Sequence, residues 1–286
     1  MQFISFTRNG SAGFGALRDG AIIDLSSRLS CADLGRALRE HGVDALRDLA
    51  SRHAPDFSLE GEGGIDAYRA VVADSQQIFC VGLNYEEHRV EANRARTAHP
   101  TVFLRLAGSQ TGHRQPLVVP RESSKFDYEG EIAIVIGRGG RRIAPERAFD
   151  HVLGFSCYND GSIRDWQAHT SQWAPGKNFP STGAFGPTLV TTDVIGENDV
   201  LTLTTRLNGE TLQQATTDML IFPIPELIAY ISTFTPLVPG DVIVTGTPGG
   251  VGFKREPAIY MKDGDTVEVE VSKVGLLVNP VRSEQG

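Results

Sequence analysis

Three cysteines in 286 residues, Cys31, Cys80 and Cys157, stand far apart and form no CxxC pair. That scarcity excludes a disulfide framework and a cysteine-built zinc site, and it points to reduced thiols in a cytoplasmic compartment. Long apolar runs are missing too: no stretch approaches the ~20 apolar residues of a membrane span. The opening "MQFISFTRNGSAG" lacks the basic-then-apolar order of a secretory signal. Positive charge is in deficit, with 27 Lys and Arg against 35 Asp and Glu and a formal net charge of −8. The imbalance argues against nucleic acid or an anionic membrane as the main partner. Internal repeats, low-complexity tracts and long linkers are also lacking.

Glycine and proline are plentiful, 31 and 15, which implies many turns and a β-rich body. Residues 1–27 hold short strand candidates. Residues 31–51 carry Leu34, Leu38, Val43, Leu46 and Leu49 at helical spacing. "GEGGID" at 61–66 makes a soft break, so residues 1–70 read as a small N-terminal α+β unit and 71–286 as the main body. There, strand candidates fall at 77–84, 131–137, 187–194, 200–207, 241–245 and 265–271. A helix-like segment starts at Tyr85, and another spans 222–233 with Pro225 tolerated in its first turn. Strands dominate, so the expected class is α+β, built on mixed or antiparallel sheets.

The stretch "FDYEGEIAIVIG" (126–137) sets two carboxylates, Glu129 and Glu131, beside a buried-strand pattern. Residues two apart on a strand point the same way, roughly 6–7 Å apart. Two like charges beside apolar residues are costly unless compensated. Either they line a solvated face of an edge strand, or a divalent cation neutralises them. Hard cations such as Mg²⁺ take oxygen ligands and leave positions for water or substrate. A third carboxylate is available in "CYNDGSIRDWQ" (157–167). In a helix starting there, Asp160, Arg164 and Gln167 share one face, with Asp160 equally suited to capping. Arg164 offers bidentate geometry for a carboxylate substrate.

In "NYEEHRVEA" (84–92), His88 and Glu91 lie three apart, adjacent on a helical turn. A carboxylate beside an imidazole orients it and raises its basicity, which suits a general base. Glu87 is the rival partner, and an exposed charged helix is the plain alternative. "VIVTGTPGGVG" (242–252) reads as a strand entering a glycine-rich turn. No GK[ST] follows, so it is no phosphate loop. Gly246 would let a backbone N–H approach an anion, and Thr247 adds a hydroxyl. "GRGGRR" (137–142) reads as a basic surface turn. His41, His53, His99, His113, His151 and His169 show no ligand-like grouping.

Taken together, "VGLNYEEHRVE", "FDYEGEIAIVIG", "NDGSIRDWQ", "PGKNF", "PGDVIVTGTPGGVG" and "MKDGDTVEVEVSKVGLLVNPV" resemble the fumarylacetoacetate hydrolase superfamily in order and spacing, over about residues 77–281, in the manner of an acylpyruvase-like member. The resemblance implies a mixed β-sheet roll or sandwich with few helices, a Mg²⁺ or Mn²⁺ centre, and a homodimer. It implies Glu129, Glu131 and Asp160 as metal ligands and a His88–Glu91 dyad on a lid-like segment. It also implies that Lys177, in a Gly/Pro-rich loop, points into the site as an ammonium that stabilises an enolate. Two positions depart from the family pattern: Arg105, near the expected substrate mouth, replaces a frequent lysine, and Gly161 replaces a frequent β-branched residue.

The implied activity is hydrolytic C–C cleavage of an acylpyruvate-like β-diketo acid, a small anionic substrate. In that reaction His88 activates water, Lys177 and the metal hold the pyruvate enolate, and Arg164, Gln167, Gly246 and Thr247 position the substrate. The same site serves an alternative: decarboxylation of an oxaloacetate-type β-keto acid, or keto–enol or double-bond isomerisation as with 2-hydroxymuconates, without an attacking water. A third reading, from another class, is a non-enzymatic metal-binding β-module. It gives no reason for His88, Lys177 and Arg164 to converge.

Overall fold

The computed structural model describes residues 1–285. A twelve-stranded mixed sheet runs through the molecule. Its central order is Gln2–Arg8, Gly183–Thr191, Val152–Asn159, Gly130–Ile136, Val242–Val244, Ile78–Gly82 and Thr101–Arg105, the last at an edge. Most neighbours are antiparallel, and Val242–Val244 pairs in parallel with Ile78–Gly82. A second sheet of five strands orders Glu210–Thr216, Thr202–Leu207, Thr266–Val271, Gly275–Ser283 and Leu117–Val119. Helices are few and short. The longest, Leu34–Arg52, is broken by Gly42 at φ +76°, a conformation glycine adopts at little cost. No helix is long and apolar enough to cross a membrane among the described residues. The α+β, β-rich class expected from turn content is what the chain forms. Residues 1–70 contribute their strands to the same large sheet, through pairing of Gln2–Arg8 with Gly183–Thr191.

Gly130–Ile136 is the strand that matters most. All seven of its residues are buried, so the solvated-edge reading of the two glutamates does not hold. Ile132, Ile134 and Ile136 pack into a core shared with the five-stranded sheet, through Leu203, Val267 and Val269. Ala133 and Val135 pack on the opposite side with Leu34, Leu38 and Leu46 of the long helix. Each isoleucine contributes about 1.5–3 kcal/mol by burial. Gly130 faces the five-stranded sheet so closely that a Cβ there would lie 1.9 Å from Thr205 Oγ1. The glycine between the glutamates therefore lets the second sheet approach, while Glu131 is turned the other way.

The neighbouring strand Val152–Asn159 is not among the strands expected from the sequence. It is buried along its whole length, so no two-residue alternation marks it. Thr101–Arg105, Glu210–Thr216 and Gly275–Ser283 are likewise strands without an expectation. The helix expected over 222–233 forms as Ile224–Phe234 with Pro225 in its first turn.

Candidate active site

Pairing register assembles the carboxylates. Gly130 is opposite Asn159, and one step further the Asp160 N–H donates to Glu129 O at 2.8 Å. Asn159 Oδ1 accepts from the Glu129 N–H at 2.9 Å. The antiparallel ladder thus delivers Asp160 to Glu129 from 31 residues away. On the other flank Val244 pairs with Ala133, which sets the Gly246 N–H 2.5 Å from Glu131 Oε2. Ligand atoms of Glu129, Glu131 and Asp160 all lie within 4.8 Å of one another, and all three residues are buried.

The helix expected to begin at Asp160 does not form there. Ser162–Ile163 pairs as a short strand with Phe126–Asp127, and the helix is one turn, Arg164–Gln167. Asp160 caps nothing: its Oδ1 accepts from Arg105 at 2.6 Å and its Oδ2 from Lys177 at 2.5 Å. Asp160, Arg164 and Gln167 therefore meet through a turn rather than along a helix face. Gly161 makes this turn feasible, since a Cβ there would fall 2.1 Å from Thr182 O. A β-branched residue does not fit this conformation.

Lys177 ends a short helical turn, Ala174–Lys177, rather than lying in a loop. Its ammonium is buried and donates to Glu129 Oε2 at 2.6 Å as well as to Asp160. Burial opposes its charge, but Asp160 and Glu129 outweigh it, and its pKa is raised. Arg164 Nε donates to Asp127 at 2.8 Å, Nη1 donates to Gln167 Oε1 at 2.9 Å, and Nη2 lies 2.7 Å from Glu129 Oε1. Its donors thus face protein carboxylates and the Gln167 amide oxygen, leaving the Gln167 amide nitrogen for a ligand. Arg105, expected near the mouth, is instead buried behind Asp160, where it also donates to Gly161 O and Thr182 Oγ1. The sequence reading missed Asp127, which holds Arg164 and accepts from the Gly252 and Phe253 N–H groups. Its signal was present in the "FDYEGE" motif, one residue before Tyr128.

Charge accounting tests the metal. Four buried carboxylates, Asp127, Glu129, Glu131 and Asp160, face three buried cations, Arg105, Arg164 and Lys177. The uncompensated one is Glu131, which has no Lys or Arg within ion-pair distance among the described residues. Burial, then Asp160 and Glu129, push its carboxyl well above the usual range. Burial acts equally on Glu129, yet Arg164 and Lys177 overcome it and hold that carboxyl below its usual range. An all-oxygen set with one unpaired carboxylate fits a hard divalent cation such as Mg²⁺ or Mn²⁺. With a dication added, the local sum turns from −1 to +1, which favours an anionic ligand.

His88 Nδ1 lies 2.8 Å from Glu91 Oε1, while Glu91 Oε2 accepts from the Gly250 N–H at 3.0 Å. Burial opposes ionisation of Glu91, but these two bonds prevail and its pKa is lowered. Glu91, not Glu87, is the partner in this helix register. Gly246 reaches the site, but its N–H serves Glu131. Thr247 Oγ1 donates to Gly130 O at 2.9 Å and accepts from Gln213 Nε2 at 2.8 Å. A cavity of 790 Å³ is lined by His88, the three carboxylates, Arg164, Gln167, Lys177 and Thr247. It brings together all the sequence-read candidates except Gly246 and Glu91, which stand just behind its wall.

Known proteins resemble this chain in sequence and in fold. The chain is 38% identical over 271 residues to a Xenopus laevis protein named oxaloacetate tautomerase fahd2, mitochondrial, covering 93% of this chain and 84% of that one. A structure described as a putative HpcE protein from Mycobacterium smegmatis superposes with a TM-score of 0.88 at 31% identity, over the full length of both chains. A 5-carboxymethyl-2-hydroxymuconate delta-isomerase from the same organism gives 0.75 at 27%, again over both whole chains. Residues 77–282 match the fumarylacetoacetate (FAA) hydrolase C-terminal family. The chain belongs to the fumarylacetoacetate hydrolase family.

Proposed function

We propose that the chain is an enzyme that moves a proton at the carbon between two carbonyl groups of a β-keto acid, an oxaloacetate-type keto–enol tautomerisation. The carrying observation is a buried triad with one uncompensated carboxylate, opening on a cavity that also holds a His–Glu dyad and a charged lysine. The name of the Xenopus relative supports this reading over hydrolysis. A divalent cation held by Glu129, Glu131 and Asp160 would supply Lewis-acid stabilisation of an enolate. His88, oriented by Glu91, takes the C3 proton, and the enolate oxygen then accepts a proton to complete the enol. The Lys177 ammonium stabilises the charge that develops on oxygen, and Gln167 donates to the substrate carboxylate. Each such contribution is worth about 10²–10⁴ in rate.

Hydrolysis of an acylpyruvate is the second reading, because the same dyad would serve a water molecule and the cavity has room for an acyl group. Two labels separate them. Tautomerisation puts solvent deuterium on C3 of oxaloacetate at an enzyme-dependent rate. Hydrolysis puts ¹⁸O from water into the acid released from an acylpyruvate. Absence of both would refute an enolate enzyme and return the non-enzymatic metal-binding module. A homodimer is part of the proposal, supported by the free edge of Thr101–Arg105 with Leu104 51% and Leu106 65% exposed.

A further inference from the structure

One residue of the second sheet reaches the back of the site, and the reaction above gives it no part. Gln213 lies on Glu210–Thr216, the outer strand of the five-stranded sheet, yet it is 1% exposed. A β-bulge turns it inward. Thr205 stands opposite Gln213 and Arg206 opposite Thr211, so Leu212 is the extra residue. Bulges beside active sites re-aim a side chain in this way. The amide is carried to Gly130, the residue between the two triad glutamates. Gln213 Oε1 accepts from the Gly130 N–H at 3.0 Å, and Nε2 donates to Thr247 Oγ1 at 2.8 Å and to Pro248 O at 3.0 Å.

The network fixes its own polarity. The Gly130 N–H can only donate and Pro248 O can only accept, which orients the amide. Thr247 Oγ1 accepts from Gln213, so its proton goes to Gly130 O at 2.9 Å and none is left for a substrate. Thr247 and Pro248 lie inside a short turn whose two ends serve the two halves of the site. The Gly246 N–H donates to Glu131 Oε2 at 2.5 Å, and the Gly250 N–H donates to Glu91 Oε2 at 3.0 Å. The turn is closely enclosed. A Cβ on Gly249 would lie 2.5 Å from Glu87 Cγ, and one on Gly250, at φ +94°, would lie 2.2 Å from Leu212 O. It is gripped between the helix Glu86–Glu91 and the strand that carries Gln213.

We propose that Gln213 is a positioning residue: by clamping Gly130 and the turn from Gly246 to Gly250 to the second sheet, it holds the metal triad and the His88–Glu91 dyad in register with each other. The inference rests on the metal-and-dyad reading of the site and names the part that joins its two halves. Gln213 is neutral and does not line the cavity, so it acts through geometry and leaves the charge balance of the site as it is.

Gln213→Met keeps the length of the side chain and removes all three hydrogen bonds. In the full-length, metal-free protein, amide hydrogen exchange followed by NMR should quicken at Gly246 and Gly250 well beyond any change in Gln2–Arg8, which three strands separate from Val242–Val244 in the large sheet. A merely structural role would lower global stability and quicken both regions alike. Mn²⁺ titration should give a Kd weakened about 10–100-fold, and kcat at saturating Mn²⁺ should fall by a similar factor with KM little changed. Thr247→Val breaks the same bridge from its other side and should loosen Gly246 and Gly250 in the same way, so it carries the test if Gln213→Met fails to fold. Unchanged or uniform exchange, or Kd and kcat both at wild-type values, overturns the clamp. Exchange needs neither metal nor turnover, so selective loosening in a protein that fails to act on oxaloacetate would uphold the clamp and refute the reaction instead.

Discussion

Lys177 Nζ sits 2.5 Å from Asp160 Oδ2, an ammonium placed against one of the three clustered carboxylates. Lys177→Met removes the charge while keeping the length of the side chain. Turnover is expected to fall about 10²-fold or more, because the ammonium acts on the enolate-forming transition state. Metal affinity should hold or rise, since the triad becomes more negative. A higher KM at unchanged kcat would assign Lys177 to ground-state binding instead.

Glu91 holds His88 on one side and the Gly250 amide on the other. Glu91→Gln keeps the shape of that bridge and loses its carboxylate charge. A fall in kcat of about 10²–10⁴ is expected, with substrate and metal binding near wild type. Glu87→Ala should be close to normal, because Glu87 makes no bond to His88. The reverse pattern would show that the dyad partner is misassigned.

Arg105→Lys tests how Asp160 is positioned. The guanidinium reaches Asp160, Gly161, Thr182 and Ser109 from one planar group, and a single ammonium cannot reproduce that fork. Second-sphere partners of metal ligands typically govern 10–100-fold in affinity. Mn²⁺ titration of the variant should show a Kd weakened by about that factor, with Tm of the metal-free protein little changed. Unaltered Mn²⁺ affinity would make Arg105 a packing residue.

His113 reports on the contact between the N-terminal strands and the second sheet. Its Nδ1 accepts from the Val278 N–H at 3.0 Å and its ring lies edge-on to Tyr68 at 4.7 Å. Burial, then Arg114, lowers its pKa from 6.5 to about 4. Between those values the unfolded chain holds a proton that the folded chain refuses. Stability therefore falls as pH drops from about 6.5 towards 4. Urea unfolding at pH 7 and pH 5 should show a smaller loss for His113→Asn than for wild type. Equal losses would show that His113 does not carry the effect.

The sequence told much about the site because its chemistry is local. "FDYEGE" and "EEHRVE" each carry their charged groups within six residues, and Glu129, Glu131 and His88 from them line one cavity. Asp160 is legible in "CYNDGSIRDWQ" as a third carboxylate, with its role as a ligand implied by the resemblance, but the helix expected to begin there does not form. The backbone there is claimed by the sheet ladder and by Ser162–Ile163 pairing with Phe126–Asp127, contacts that join residues far apart in the chain. Arg105 and Asp127 were misplaced or overlooked for the same reason: a buried charge looks like a surface charge until its partner is known. In the fold, the apolar run of Gly130–Ile136 is legible although that strand is wholly buried, whereas Val152–Asn159, equally buried, has no alternation to read, and Thr101–Arg105, Glu210–Thr216 and Gly275–Ser283 are not legible although each is partly exposed.

The central claim is that the triad holds a divalent cation on which enolate chemistry depends. The direct measurement is the rate of ketonisation of enol-oxaloacetate, followed by loss of enol absorbance, for wild type and Glu131→Gln with and without chelator. The account predicts acceleration by wild type in Mg²⁺ or Mn²⁺, its loss on chelation and recovery on adding metal back. It predicts no metal-dependent acceleration by Glu131→Gln, in a protein that stays folded because a buried unpaired carboxylate has been replaced by a neutral amide. Undiminished acceleration by metal-free wild type, or by Glu131→Gln, would contradict it.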